Sequence, residues 1–311
     1  MNQVQVPEGL DAGAIWHFGS PAREGKLLDE GKGWANLSHL PVISISGADR
    51  LSWLQNITTQ EMLSLSTGQQ SGALILDAQG HINHQLYLKD DGERTWIHTE
   101  ASKVDELIAF LERMKFMLRV EVEDRRSTHL VLRAPGVLNL MNNEKVVDPF
   151  GGPYLIVERD KYDEVTEPWG IENQVGMWAL EAQRAEYGRA RILMETDHKS
   201  IPNELRLLNN FVHMKKGCYP GQETVAKVFN LGQPPRLLTF LHLDGSEHDL
   251  PLHGEEIEQD GKVVGFVGTA ARHHILGPIA LAVIKRSVVQ SPNPAPLNIN
   301  GVAGMIEPWK E

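Results

Sequence analysis

The densest group of reactive residue types in this 311-residue chain is the octapeptide Lys216-Gly-Cys-Tyr-Pro-Gly-Gln-Glu223. Cys218 is the only cysteine, so no disulfide can close within the chain and no cysteine cluster can hold a metal. A lone cysteine is ordinarily a small buried hydrophobe. Here Gly217 on one side and Tyr219-Pro220-Gly221 on the other predict a tight turn that holds the sulfur out of a regular element. His213, Lys215 and Lys216 lie just upstream, and nearby positive charge favours thiolate over thiol. Gln222 and Glu223 add an amide and a carboxylate that can orient a polar ligand through hydrogen bonds. A solvated Gly-Pro turn carrying two lysines would share this spacing, so the motif alone leaves both readings open.

Two other groups can do chemistry. Glu181 lies in ALEAQRAEYG, residues 179–188. Its carboxylate can accept two parallel N–H bonds from an amino-heterocycle, as it does from guanidinium, while a solvated helix glutamate is the plain alternative. His81, His84 and His98 invite a metal reading, but an i, i+3 pair on a strand points to opposite faces. No matching carboxylate is identifiable and no metal is expected.

The elements that must position these residues follow from hydrophobic periodicity. Residues 42–46 (VISIS) read as a strand, Gly47 breaks it, and Asp49 is placed to cap a helix carrying Leu51, Leu54 and Ile57. Residues 72–76 and 82–88 flank Asp77-Ala-Gln-Gly80 as a hairpin, with 94–98 as a third strand. Val104, Leu107, Ile108, Leu111, Met114 and Met117 form one apolar face of a helix within Lys103–Leu118, and Val120–Val122 begin another strand. This predicts a small α+β module over about residues 68–127. Residues 177–187 read as a helix ending at Gly188. Beyond Pro234-Pro235 come short alternating runs broken by Gly, Pro and Asp, the pattern of a small antiparallel β-barrel. The chain is therefore divided into 1–232 and a C-terminal barrel, 233–311.

Composition excludes several classes. Apolar residues make up 41% and charged residues 23%, as in ordinary globular proteins. The N-terminal residues lack a basic stretch leading into an apolar core, and no run approaches the roughly 18 apolar residues of a membrane span, so a soluble, cytoplasmic protein is expected. The net charge of −11 argues against an extensive nucleic-acid surface, which needs many Lys and Arg to neutralise phosphates.

The run KKGCYPGQETVAKVFNLGQPPR resembles the K-G-C-Y-x-G-Q-E signature, with trailing Gly and Arg, of the YgfZ family of folate-binding proteins, relatives of the glycine-cleavage T protein, an aminomethyltransferase. Every fixed position is matched, from Lys216 to Glu223. Residues 47–61 (GADRLSWLQNITTQE) are similar to the family segment D-A-x-x-F-L-Q-G-x-x-T-N-D-V, with Asn56 where glycine is common and Gln60 where asparagine is. Residues 179–188 resemble its R-x-E-A-G stretch, with Gln183 replacing the usual glycine, and 265–284 resemble its C-terminal barrel. The likeness covers most of residues 40–285.

The resemblance implies an α+β, aminomethyltransferase-like fold of three modules around a central channel that binds tetrahydrofolate or a one-carbon derivative, with Cys218 and Lys216 at the mouth as the catalytic candidates. Glu181 becomes the candidate pterin-binding carboxylate. Tyr219 and Gln222 join it, and Arg184 or Arg236 is available to the anionic folate tail. The T-protein hairpin resembles N-x-x-G-x-I-x-D-D-L, but here His84 and Gln85 stand where its two aspartates fall. The T-protein loop matching Cys218 resembles K-x-D-F-I-G and has no cysteine. The resemblance thus implies an accessory role in assembling or repairing iron–sulfur clusters in other proteins, including those that thiolate tRNA. A folate-dependent aminomethyl or methyl transferase acting on an amine is the alternative, and a module that holds folate only structurally is a third. One cysteine cannot hold a cluster, so contact with iron–sulfur proteins or the assembly machinery would be transient.

Overall fold

The computed structural model describes residues 3–136, 149–246, 249–292 and 295–309. Two short strands, β1 (Val4–Gln5) and β2 (Ile15–His17), form an antiparallel ribbon that leads into α1 (Pro21–Asp29) and β3 (Ala35–Asn36). A five-stranded sheet follows, built from β4 (Val42–Ser46), β5 (Gln70–Leu76), β6 (Ile82–Asp90), β7 (Arg94–His98) and β8 (Glu121–Asp124), with α2 (Arg50–Ile57) and α3 (Val104–Met114) between strands. Its order is β5-β6-β7-β4-β8, and every pairing is antiparallel. The sheet of the module expected at 68–127 thus takes in β4 from before residue 68.

The apolar run GALIL is continuous because β5 is buried on both faces. Ala73 and Ile75 pack with Ile43, Ile45, Leu86 and Ile97 against α2 and α3. Leu74 and Leu76 join Val42 and Tyr87 in the central core on the other face. Two sequence expectations fail here. Met117 does not continue the buried face of α3; it is 99% exposed, because the helix stops at Met114 and Phe116 takes a left-handed conformation at φ 44°. Asp49 stands at the N-cap of α2 without capping it. Its carboxylate accepts from the backbone N–H, Nε and Nη2 of Arg119, and these bonds lower it to about 2.

The chain continues through β9 (His129–Arg133), β10 (Tyr154–Glu158), α4 (Tyr162–Thr166), α5 (Met177–Glu186), α6 (Leu208–Phe211) and α7 (Gln222–Leu231). β10, β9 and β3 make a three-stranded sheet. The barrel closes in the order β11-β14-β13-β12-β15-β16, from β11 (Arg236–Leu243), β12 (Glu256–Gln259), β13 (Lys262–His273), β14 (Gly277–Lys285), β15 (Leu297–Ile299) and β16 (Val302–Glu307), with α8 (Arg286–Val289) after β14. Along β14, Ala280, Ala282 and Ile284 fill the barrel, while Ile279, Leu281 and Val283 join the central core. That division explains the unbroken IALAVI run. α5 runs between the barrel and the N-terminal elements and is buried nearly all round, including Glu181, Gln183 and Arg184. A central helix can bury such residues only if their polar atoms find partners. Among the described residues no helix is long and apolar enough to cross a membrane.

Candidate functional site

The segment between α6 and α7 carries Cys218 at an exposed position, outside any regular element. Lys216 fixes this loop. It is 6% exposed, and its ammonium donates to the carbonyl of Gln55, to that of Thr58 at 2.6 Å and to that of Gln60 at 3.0 Å. Those acceptors lie at the C-terminal end of α2 and just beyond it, where carbonyls lack helical partners and the dipole favours a cation. The Tyr219 ring lies 5.2 Å from the same nitrogen. Burial lowers Lys216 to about 8 and raises Tyr219 to about 12, so at neutral pH the amine is charged and the phenol protonated. With its three N–H bonds made to backbone carbonyls, Lys216 anchors the loop. Tyr219 is likewise part of the central core, and Gln222 donates its side-chain amide to the Lys216 carbonyl at 3.5 Å.

The loop also closes against the hairpin turn. Gly221 has φ 75°, and a Cβ there would stand 2.6 Å from the Asp77 carbonyl oxygen and 2.7 Å from the Gly80 Cα. Only glycine permits both the conformation and the approach. The turn itself is held by Asp77, which accepts from the backbone N–H groups of Gln79 and His81 and pairs with the His81 ring, each at 2.8 Å.

At the two hairpin positions of interest, both side chains are neutral at pH 7. His84 is 2% exposed, and burial, aided by Lys103, lowers it to about 4. Gln85 donates to the Ala190 carbonyl at 3.1 Å and accepts from the Ile192 N–H at 2.8 Å, stitching β6 to the chain after α5. His98 is fully buried, stacked on Tyr87 at 4.9 Å and edge-on to Tyr154; burial lowers it to about 3. Among the described residues no group of three His, Cys, Asp or Glu is placed to hold a metal.

The charged candidates are engaged inside the protein. Glu181 accepts from Arg184 Nε at 3.1 Å and Nη2 at 2.7 Å, and from Arg191 Nη1 at 3.1 Å. Arg184 also donates to Glu195 at 2.9 Å and to the Arg189 carbonyl at 2.6 Å. Arg191 joins Glu100 at 2.8 Å and Asp11 at 2.7 Å. Burial alone would raise Asp11, yet Arg191 and His39 hold it well below the usual carboxylate range. Both oxygens of Glu181 are thus engaged by arginines. Arg236 is no freer. It grips Asp197 at 2.6 Å and Glu204 at 2.9 Å, clamping the first barrel strand to the segment before α6. Arg184 and Arg236 are thus both paired with carboxylates of the fold.

A cavity lies one layer away. A cavity of about 410 Å³ is walled by Tyr87 of β6, Tyr187 and Arg189 after α5, Asn203 and Arg206 before α6, and Phe211. No Asp or Glu lines it, and none of the seven candidate residues does. The buried ion network sits behind its wall, since the Arg189 carbonyl is held by Arg184 and the Ala190 carbonyl by Gln85. A second cavity of about 380 Å³, against β11 and β16, shares Asn203 and Arg206 with the first.

Two sequence relatives are informative. A chloroplastic protein of Arabidopsis thaliana named as a transferase is 23% identical over 286 residues; the match covers 81% of this chain but only 65% of that protein. The tRNA-modifying protein YgfZ of Vibrio vulnificus is 28% identical over 222 residues, 65% of this chain and 67% of the relative. The chain is thus similar in sequence both to proteins named YgfZ and to proteins named as transferases. The chain has the aminomethyltransferase fold: the glycine-cleavage aminomethyltransferase T of Bartonella henselae superposes with a TM-score of 0.78 at 14% identity, covering 96% of this chain and 91% of that one. No model of a protein family matches the sequence. The cavity residues escape sequence reasoning because they carry no local signal. Tyr87 and Phe211 read as core, and Arg206 sits between two buried leucines. Asn209-Asn210 beside Phe211 is a further polar break in the stretch.

Proposed function

We propose that the chain binds tetrahydrofolate, or a one-carbon derivative, in the 410 Å³ cavity. We further propose that it supports iron–sulfur cluster assembly or repair in client proteins, and through them tRNA modification, with Cys218 as its working thiol. The observation that carries the folate reading is the lining of the cavity: aromatic rings at Tyr87, Tyr187 and Phe211, amides at Asn203 and Asn210, two arginines and no carboxylate. Its volume lies within the usual range for small-molecule sites, roughly 300–1,000 Å³. Flat rings suit a pterin and a benzoyl group, and an acid-free wall with arginines suits a carboxylate tail. When bound, a reduced folate would supply a carrier of one-carbon units. The chain's own contribution is to hold it among these residues and to present Cys218 on a loop pinned by Lys216.

The likeness to proteins named as transferases favours a second reading, a folate-dependent transferase acting on an amine. The neutral pair His84 and Gln85 weighs against it, because neither supplies a carboxylate for acid or base work.

Calorimetric titration with tetrahydrofolate tests the cavity. Wild type should bind, and Phe211→Ser should weaken binding about tenfold through lost ring contact; no heat from folded wild type would sink the proposal. For the thiol, Cys218→Ala should fail to restore iron–sulfur enzyme activity in cells lacking the native copy, and full restoration would remove Cys218 from the account. Turnover of an amine with formation of methylene-tetrahydrofolate would favour the transferase.

A further inference from the structure

We infer that Arg206 reads the carboxylate end of the ligand, so that the chain selects pteridines with an anionic tail over those with a neutral one. This rests on the folate reading of the cavity. The arginines first suited to an anion, Arg184 and Arg236, are committed to carboxylates inside the fold. Arg206 is different. Among the described residues its guanidinium meets no acid and no hydrogen-bond acceptor; its one close partner is the face of Trp309, with Cζ 4.4 Å from the ring centroid. A guanidinium stacked on an indole keeps its in-plane N–H groups free, and their fork matches a carboxylate in two parallel bonds.

The placement is built rather than incidental. Trp309 donates its indole N–H to the Leu238 carbonyl at 3.3 Å and packs against Phe240 at 5.7 Å. It also lies so close to Gly188, the C′ glycine of α5, that a Cβ there would be 2.5 Å from the ring. Arg206 itself holds a left-handed backbone at φ 59°, a conformation that costs a non-glycine residue strain and is retained where surrounding structure requires it. It lies at the junction of the two cavities, with Asn203, whose Oδ1 is buried without a partner while Nδ2 donates to the Val225 carbonyl at 3.1 Å. The carboxylates of the second cavity are answered elsewhere: Glu204 by Arg236 and Glu307 by His242. Aromatic rings at one part of the first cavity and a free guanidinium at another thus match a fused ring joined to a carboxylate.

The test compares tetrahydrofolate with its diamide, in which both carboxylates are carboxamides, by calorimetry on wild type, Arg206→Gln, Arg206→Lys and Arg189→Gln, each first shown to be folded by thermal denaturation. Wild type should prefer tetrahydrofolate by about 10- to 100-fold, the scale of a charge-assisted bidentate contact. Arg206→Gln should lower tetrahydrofolate to the affinity of the diamide and leave the diamide unchanged, while Arg206→Lys should keep part of the preference. Equal binding of both ligands by wild type overturns the inference and leaves the folate reading intact. So does an equal loss for both in Arg206→Gln, or loss of the preference in Arg189→Gln with Arg206→Gln unaffected. Binding of neither ligand by wild type removes the folate reading and this inference together.

Discussion

Lys216→Met separates an anchoring lysine from a catalytic one. Methionine keeps most of the stem's apolar volume but leaves the carbonyls of Gln55, Thr58 and Gln60 facing a thioether. Hydrogen bonds to a charged donor contribute about 1.5–3 kcal/mol net of desolvation, and buried acceptors left without a partner add to the cost. The variant should therefore be about 3 kcal/mol less stable. Urea denaturation followed by tryptophan fluorescence reads this as a lower midpoint with an unchanged slope. A loss below about 1 kcal/mol, together with abolished biological function, would refute the anchor and return Lys216 to the chemistry.

Three further outcomes follow from the same geometry. His84 and His98 are neutral in the fold, with values of about 4 and 3 against 6.5 when free. The unfolded chain therefore binds more protons below pH 6.5, and stability should fall with pH by about 1.4 kcal/mol per unit for each histidine down to pH 4. His98→Phe should flatten this slope in urea midpoints measured from pH 7 to 4.5, and an unaltered slope would show that His98 is not the group responsible. Gly221→Ala should cost about 2–4 kcal/mol, from left-handed strain and the clash with the hairpin turn, seen as a lower urea midpoint; a neutral result would mean that the two turns are not in contact. Glu181→Gln should destabilise by about 3 kcal/mol by leaving Arg184 and Arg191 underpaired, while tetrahydrofolate affinity measured by calorimetry stays within about threefold. A selective loss of binding with unchanged stability would reinstate Glu181 as the pterin acid.

Much of the fold was legible because its signals are local. VISIS, the Asp77–Gly80 hairpin and the punctuated barrel strands each announce themselves within ten residues. The end of α3 was not legible, because Met117 keeps the helical spacing and only the left-handed turn at Phe116 removes it from the buried face. The site was legible in part. The Cys218 turn could be read from its glycines and proline, but the roles of Lys216, Glu181, Arg184 and Arg236 depend on partners elsewhere in the chain. Arg191 meets Asp11 across 180 positions and Lys216 meets Gln55 across 161. Charge type fixes what such a residue can bind, while topology decides what it does bind. The cavity residues were hidden for the complementary reason: an aromatic facing a cavity and one filling a core look alike in a sequence.

The central claim is that the ligand cavity lies between Tyr87, Phe211 and Arg206, in front of the buried ion network and not within it. A crystal structure of the protein with tetrahydrofolate measures this directly. The expected result is a pterin beside Tyr87 and Phe211, a tail carboxylate on Arg206, and Glu181 still paired with Arg184. A pterin seated on Glu181 with Arg184 displaced, or a folate bound outside this cavity, would contradict it.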